Sequence, residues 1–196
     1  MKKLIVASNN KGKLREVGEI LGGTFEIVSM ADAGIHADIE ETGETFTENA
    51  LIKARYVFEH TGCAALSDDS GLVVDALGGA PGVYSARYAG NHDSKANNEL
   101  LLRNMSGVEE RTARFISAVA LVCDDGEFTA TGAVEGHILH GLVGSGGFGY
   151  DPLFYSYELH KSFGEATAEE KNSVSHRFRA LTALVNKLRE SGKLGE

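Results

Sequence analysis

Two adjacent carboxylates, Asp68 and Asp69, stand between apolar runs in "AALSDDSGLVVDAL", residues 64–77. Burying an unpaired carboxylate is very unfavourable, so such a pair is solvated, hydrogen-bonded or bound to a metal. Asp, Ser and Gly are also common turn formers. By local composition the pair ends one strand and turns into the next. A second acidic pair, Glu40 and Glu41, precedes a capped helix that carries Lys53. Acidic residues there serve a helix start in most chains, through the dipole or the cap. One carboxylate from each pair would instead suit Mg²⁺, which takes one or two carboxylates, several waters and phosphate oxygens. Residue types alone leave open which member of each pair that is. Acidic metal ligands beside lysines are the usual layout for phosphoryl chemistry.

"ASNNKGK", residues 7–13, follows an apolar strand and opens a helix. The N–H groups of a helix start favour anions, and Lys11 and Lys13 add positive charge, so the stretch reads as a phosphate cradle. It is not a Walker A loop, because GxxxxGK[ST] is absent. In "GGFGYDP", residues 146–152, the glycines permit close backbone approach to a ligand. Phe148 and Tyr150 offer flat apolar surfaces for a base, and Asp151 an acceptor for a ring N–H. His176 and Arg177 stand near a helix start, an unfavourable end for a cation unless an acceptor faces it. The seven His show no metal-ligand spacing, Cys63 and Cys123 cannot make a zinc site by themselves, and no GxSxG or HExxH motif occurs.

The elements that would position these residues follow from periodicity and caps. "KLIVA" (3–7) and "FEIVSM" (25–30) read as strands around a helix with Leu14, Val17 and Leu21 on one face. Asn9 or Asn10 caps that helix, and the Gly pair at 22–23 ends it. Thr45 and Glu48 form a capping box for a second helix with Leu51, Ala54 and Phe58 as its apolar face. "CAAL" and "GLVVDAL" are separate strands, "KANNELLLRNM" is a helix, and "RFISAVALVC" and "EFTATGAVEGHIL" form a hairpin about "DDG". Thr167 and Glu170 make another capping box, and Phe178, Leu181, Val185 and Leu188 line a last helix. The hairpin implies antiparallel pairing, so the expectation is a mixed α/β sheet in one domain over residues 1–196.

A chain of 196 residues suffices for one well-filled core, and 42% hydrophobic with 24% charged residues is ordinary globular composition. The formal charge of −9 argues against wrapping nucleic acid, though not against a small anion held by local cations. Two cysteines suit free thiols in a reducing compartment. The N-terminal apolar run is too short for a signal peptide or a membrane span, and no other segment approaches membrane length. A cytoplasmic location without membrane contact is expected.

Five blocks, "SNNKGKLRE", "EETGETFTENALIKAR", "SDDSGLVVDALGGAPGVYSARYAG", "GGFGYDPLF" and "EEKNSVSHR", occur in this order across nearly the whole chain. Together they resemble the inosine/xanthosine triphosphate pyrophosphatases, which act on non-canonical purine nucleotides. The resemblance implies an elongated mixed β-sheet flanked by helices, with two lobes, a central substrate cleft and a homodimeric assembly. It implies Mg²⁺-dependent hydrolysis of ITP, dITP or XTP to the monophosphate and pyrophosphate. Glu40 and Asp69 fall at its metal positions, Asp69 also at the catalytic base, and Lys13 and Lys53 at catalytic cations. Ser8, Asn9, Asn10, Lys11, Gly12 and Lys13 fall at triphosphate positions. Ser70, Phe148, Gly149, Tyr150, Asp151, Lys171, His176 and Arg177 fall at the remaining substrate positions. Many relatives have Thr-Gly-Asn where this chain has Ser8-Asn9-Asn10, a departure that keeps the first hydroxyl and the last amide. The rival readings are a metal-dependent pyrophosphatase for dUTP or modified pyrimidine triphosphates, told apart by substrate profile, and a nucleotide sensor without turnover. Retention of both acidic positions and both lysines counts against the sensor.

Overall fold

The computed structural model describes residues 2–193. The chain begins with β1 (Lys2–Val6), α1 (Lys11–Leu21) and β2 (Phe25–Ser29), followed by α2 (Phe46–Thr61) and β3 (Ala64–Val74). Two 3-10 turns, Asp75–Leu77 and Gly82–Arg87, lead to α3 (Ser94–Asn104). The hairpin strands β4 (Thr112–Cys123) and β5 (Gly126–Ile138) come next, then short strands β6 (Phe154–Ser156) and β7 (Lys161–Ser162), and helices α4 (Ala168–Ser173) and α5 (His176–Glu190). One seven-stranded sheet has the order β2-β1-β3-β4-β5-β6-β7. β1 runs parallel to β2 and β3, and β6 runs antiparallel to β5 and β7, so the expected mixed α/β sheet is present. Among the described residues no helix is long and apolar enough to cross a membrane.

The contacts divide the chain into two compact units. The first comprises the chain up to Asp69, Ser117–Gly132 and the segment from Arg177 onward, and the second comprises Ser70–Ile116 and Ala133–His176. In the first unit the strands are apolar on both faces because helices cover both. Leu4, Val6, Leu66, Val119 and Leu121 meet Val17 and Leu21 of α1 and Leu181, Leu184 and Leu188 of α5. On the other face Ile5 and Ala65 meet Val57 of α2, and Ala120 and Val122 meet Ala50 and Ala54. The core of the second unit gathers Leu72, Val74, Leu101, Met105, Val134, Leu153, Phe154 and Phe163.

Three details depart from the pattern read in the sequence. The two strands expected around Asp68 and Asp69 are one continuous strand, β3, with no turn at the acidic pair. The buried stripe of α2 runs through Asn49, Ala50, Ala54 and Val57, one position off the expected face. Phe178 is exposed, and Arg177 takes the inward position a helical period before Leu181, Leu184 and Leu188. Both capping boxes form as expected, Thr45 with Glu48 and Thr167 with Glu170.

Candidate active site

In a strand, successive side chains point to opposite faces of the sheet. Asp68 shares the face of Leu66 and meets α1 and α5, whereas Asp69 shares the face of Ser67 and meets α2. The adjacent pair therefore separates into two different environments.

Asp68 is 8% exposed. Its Oδ1 lies 2.9 Å from the Lys13 ammonium and its Oδ2 accepts from Arg177 Nε at 2.9 Å. Arg177 Nη1 also donates to Glu16 Oε2 at 3.0 Å. Val6, Val17, Leu66, Val119 and Leu181 surround the pair. Burial alone would raise the Asp68 carboxyl, but Lys13 and Arg177 outweigh it and hold the group far below the usual carboxylate range. Arg177 is the cation near a helix start for which an acceptor had to be found, and Asp68 and Glu16 are its acceptors.

On the opposite face Asp69 Oδ2 accepts from Asn49 Nδ2 at 3.1 Å. Asn49 is fully buried, and its own oxygen accepts from the Gly43 N–H at 2.7 Å, which fixes the amide's orientation. A side chain at Gly43 would put its Cβ 2.6 Å from Glu48 Cβ and 2.8 Å from Asn49 Oδ1, so the residue must stay small. Lys53 Nζ lies 2.6 Å from Glu41 Oε1, 2.9 Å from the Asp68 carbonyl oxygen and 4.0 Å from Asp69 Oδ1. Glu41, Lys53 and Asp69 thus form one half-buried cluster, while Glu40 is exposed. Among the described residues no group of three or more His, Cys, Asp or Glu gathers as a cage for a metal.

The loop after β1 is built by its own side chains. Asn10 caps α1, its Oδ1 accepting from Gly12 N at 2.8 Å and Lys13 N at 3.3 Å. The Asn10 N–H donates to Ser8 Oγ at 3.1 Å. Asn9 is not the cap, and its Oδ1 instead accepts from Ala31 N at 2.9 Å. Lys11 and Gly12 are exposed at the helix start.

In the second unit Asp151 closes the glycine-rich loop. Its Oδ2 accepts from Phe148 N at 2.8 Å and is ion-paired with Lys171. A Cβ on Gly147, at φ +75°, would come within 2.1 Å of that oxygen, so the turn requires glycine. Asp151 is therefore buried and engaged within the loop, in place of the open acceptor expected. Tyr150 is no open platform either, being buried with its hydroxyl donating to Ser85 O at 2.8 Å, and burial pushes its phenol pKa up. Phe148 is 76% exposed with the Lys171 ammonium 4.3 Å from its ring centroid. His176 stacks on Phe115 at 5.5 Å, and Ser70 is half-buried. Sequence reasoning missed Asn49, Glu16 and Asn98, all polar residues on helices. A buried Asn beside the Ala50–Ala54–Val57 stripe was the one signal available for Asn49.

Asp68, Asp69, Glu41, Lys13, Lys53, Asn10 and Arg177 thus belong to the first unit, and Phe148, Tyr150, Asp151, Lys171 and His176 to the second. The chain is 50% identical over 193 residues to a protein of Geobacter sulfurreducens named dITP/XTP pyrophosphatase, covering 96% of this chain and 97% of that one. It is also 50% identical over 184 residues to one of the same name from Desulforamulus reducens, covering 91% and 92%. The structure of the Staphylococcus aureus Ham1 protein superposes with a TM-score of 0.92 at 36% identity, covering 97% of this chain and all of that one. A Mycobacterium abscessus structure titled nucleoside-triphosphatase / dITP/XTP pyrophosphatase gives 0.81 at 46% identity, covering 93% and 98%. The Ham1 family profile matches residues 4–187, from the third residue of β1 into the last turn of α5, and the chain belongs to the Ham1 family.

Proposed function

We propose that this protein hydrolyses the non-canonical purine nucleotides ITP, dITP and XTP to the nucleoside monophosphate and pyrophosphate, which clears them from the pool before incorporation into DNA or RNA. The observation that carries the reading is the Glu41–Lys53–Asp69 cluster, with Asp69 aimed by a buried amide. The names of relatives at 50% identity point to the same reaction.

Attack at the α-phosphorus needs a base beside the entering water and positive charge for the leaving pyrophosphate. Asp69 takes the proton of that water, and Asn49 holds the carboxylate in its orientation. Lys53 and Lys13 stabilise the charge that develops on the leaving group. The α1 start, shaped by Asn10 and Asn9, receives phosphate oxygens on its backbone N–H groups. Asp69 with a glutamate of the Glu40–Glu41 pair would fit a hard divalent cation, as two oxygen donors that leave its other positions to water and phosphate. The resemblance puts Glu40, which is exposed, at that position, while Glu41 is ion-paired with Lys53. Mg²⁺ bound there would supply charge neutralisation at the phosphates. The base falls to Ser70, Phe148, Lys171, His176 and Arg177 by resemblance. A donor from His176 or Arg177 to the 6-oxo group rejects adenine, whose 6-amino group would leave two donors facing each other. The enzyme is read as a cytoplasmic homodimer with no nucleic-acid partner.

The test incubates purified protein and Mg²⁺ separately with ITP, XTP, ATP, GTP and dUTP and identifies the products. IMP and XMP with pyrophosphate, and little turnover of ATP or GTP, is the expected result. Release of the diphosphate and orthophosphate would overturn α-attack, and turnover of dUTP alone would overturn the purine assignment.

A further inference from the structure

Asn98, the fifth residue of α3, is 8% exposed and makes an incomplete set of hydrogen bonds. Its Nδ2 donates to the Gly149 carbonyl oxygen at 2.9 Å, whereas its Oδ1 is buried and meets no donor. The preceding residue differs: Asn97 uses both ends, accepting from Ala89 N at 2.7 Å and donating to Ala86 O at 3.1 Å. A buried carbonyl without a donor lowers stability, and an apolar side chain of the same shape would avoid that penalty. The orphan Oδ1 gives no reason for an amide at position 98, so the reason lies in the bond that Nδ2 makes. The one bond it makes lies in the loop that carries Phe148.

Gly149 sits at φ +60°, between an exposed phenylalanine and a buried tyrosine. The Phe148 N–H is held by Asp151, the Gly149 carbonyl by Asn98, and the Tyr150 hydroxyl by Ser85 O. An aromatic ring 76% open to solvent thus stands on a backbone fixed on both sides of it. The Lys171 ammonium lies over one face of the ring, 4.3 Å from its centroid, and the ring's high exposure leaves surface on which a flat ligand can stack.

We propose that Asn98 is a positioning residue for nucleotide recognition, which fixes the Gly149 carbonyl and through it the backbone from which the Phe148 ring projects. The proposal rests on the reading of Phe148 as a contact to the purine base. The bond from Nδ2 is its working feature, and the unsatisfied Oδ1 is the price of placing a donor there.

The experiment compares wild type with Asn98→Leu and Asn98→Asp, measuring KM and kcat for XTP, the melting temperature, and inhibition by inorganic tripolyphosphate, which has no base. Leucine removes both the donor and the orphan acceptor at similar volume, and aspartate removes the donor while keeping the shape. Both variants are expected to raise KM for XTP roughly three- to ten-fold, as one lost hydrogen bond implies. kcat and the tripolyphosphate inhibition constant should stay near wild type, and Asn98→Leu should melt close to wild type, the lost bond to Gly149 being offset by removal of the orphan acceptor. A wild-type KM in Asn98→Leu overturns the proposal. So does weakening of tripolyphosphate inhibition in parallel with KM, or failure of both variants to fold, since each would make Asn98 merely structural. A wild-type protein that leaves XTP untouched removes the underlying reading, and the proposal falls with it.

Discussion

Replacing Asp68 with Asn tests whether the buried ion cluster holds the first unit together. The carboxylate bridges Lys13 and Arg177 at 2.9 Å each, in apolar surroundings of Val6, Val17, Leu66, Val119 and Leu181. The amide keeps the shape but loses the charge, and its NH₂ group must face one of two cationic donors. Breaking a buried pair by removing one partner costs about 3–5 kcal/mol, because the other charge is left uncompensated. Arg177 retains Glu16, so the lower end, about 3 kcal/mol, is the working figure. For a chain of this size each kcal/mol moves the melting temperature by roughly 2–4 °C, which predicts a fall of about 6–12 °C. Circular dichroism melts and urea unfolding at pH 7 supply the measurement. The sign of the pH effect is fixed by the depressed Asp68 pKa. Its contribution is fully present above the unfolded-state value of roughly 3.9 and is lost as pH falls through the folded value. The stability gap between wild type and Asp68→Asn should therefore be constant from about pH 5 to 8 and narrow below about pH 4. Adding Arg177→Met completes a double-mutant cycle, with a coupling of at least about 1 kcal/mol expected. A melting shift under about 2 °C, or additivity in the cycle, would refute the account of Asp68 as the charge anchor.

Three further outcomes follow from the site. Asp69→Asn should lower kcat for XTP by roughly 10²–10⁴-fold with the melting temperature nearly unchanged, since Asn49 can still hold the amide oxygen; turnover like wild type removes Asp69 as the base. Gly147→Ala should destabilise the loop by about 1–3 kcal/mol through its φ of +75° and a Cβ 2.1 Å from Asp151 Oδ2. A raised KM for XTP and earlier proteolysis within residues 141–152 would report it, and an unchanged melting curve and KM would count against the required turn. Chelation by EDTA should abolish XTP turnover and added Mg²⁺ restore it, whereas full activity in EDTA would contradict the proposed divalent cation at Asp69 and its glutamate partner.

What the sequence reveals depends on how far apart the interacting residues lie in it. Thr45 with Glu48 and Thr167 with Glu170 are legible because a capping box closes within four residues. The break expected at Asp68 and Asp69 follows from Asp-Asp-Ser-Gly read locally, where turn composition outweighs strand propensity. Partners far away in sequence, Lys13 and Arg177 on one face and Asn49 and Lys53 on the other, compensate the charges and allow β3 to continue. Which of Glu40 and Glu41 approaches Lys53 lay beyond local reading for the same reason, since it depends on the path of an irregular loop. Phe178 satisfied the helical period on paper, yet Arg177 faces inward because Asp68 lies opposite it. Asn98 and Glu16 resemble solvated helix residues until their neighbours are known.

The adjacent carboxylates of β3 differ by one residue of strand register, and that step decides their chemistry. Asp68 has both oxygens in ion pairs and a pKa driven far below neutrality, which makes it a poor acceptor for a proton from water. Asp69 accepts from the neutral Asn49 amide at one oxygen and has the Lys53 ammonium, itself paired with Glu41, 4.0 Å from the other, an arrangement that suits the base proposed for it. A continuous strand directs one carboxylate toward α1 and α5 and the other toward α2, so neither can substitute for the other. The two Asn variants should accordingly fail in opposite ways, Asp68→Asn chiefly in stability and Asp69→Asn chiefly in turnover. Identical losses in both would show that the strand does not divide the roles.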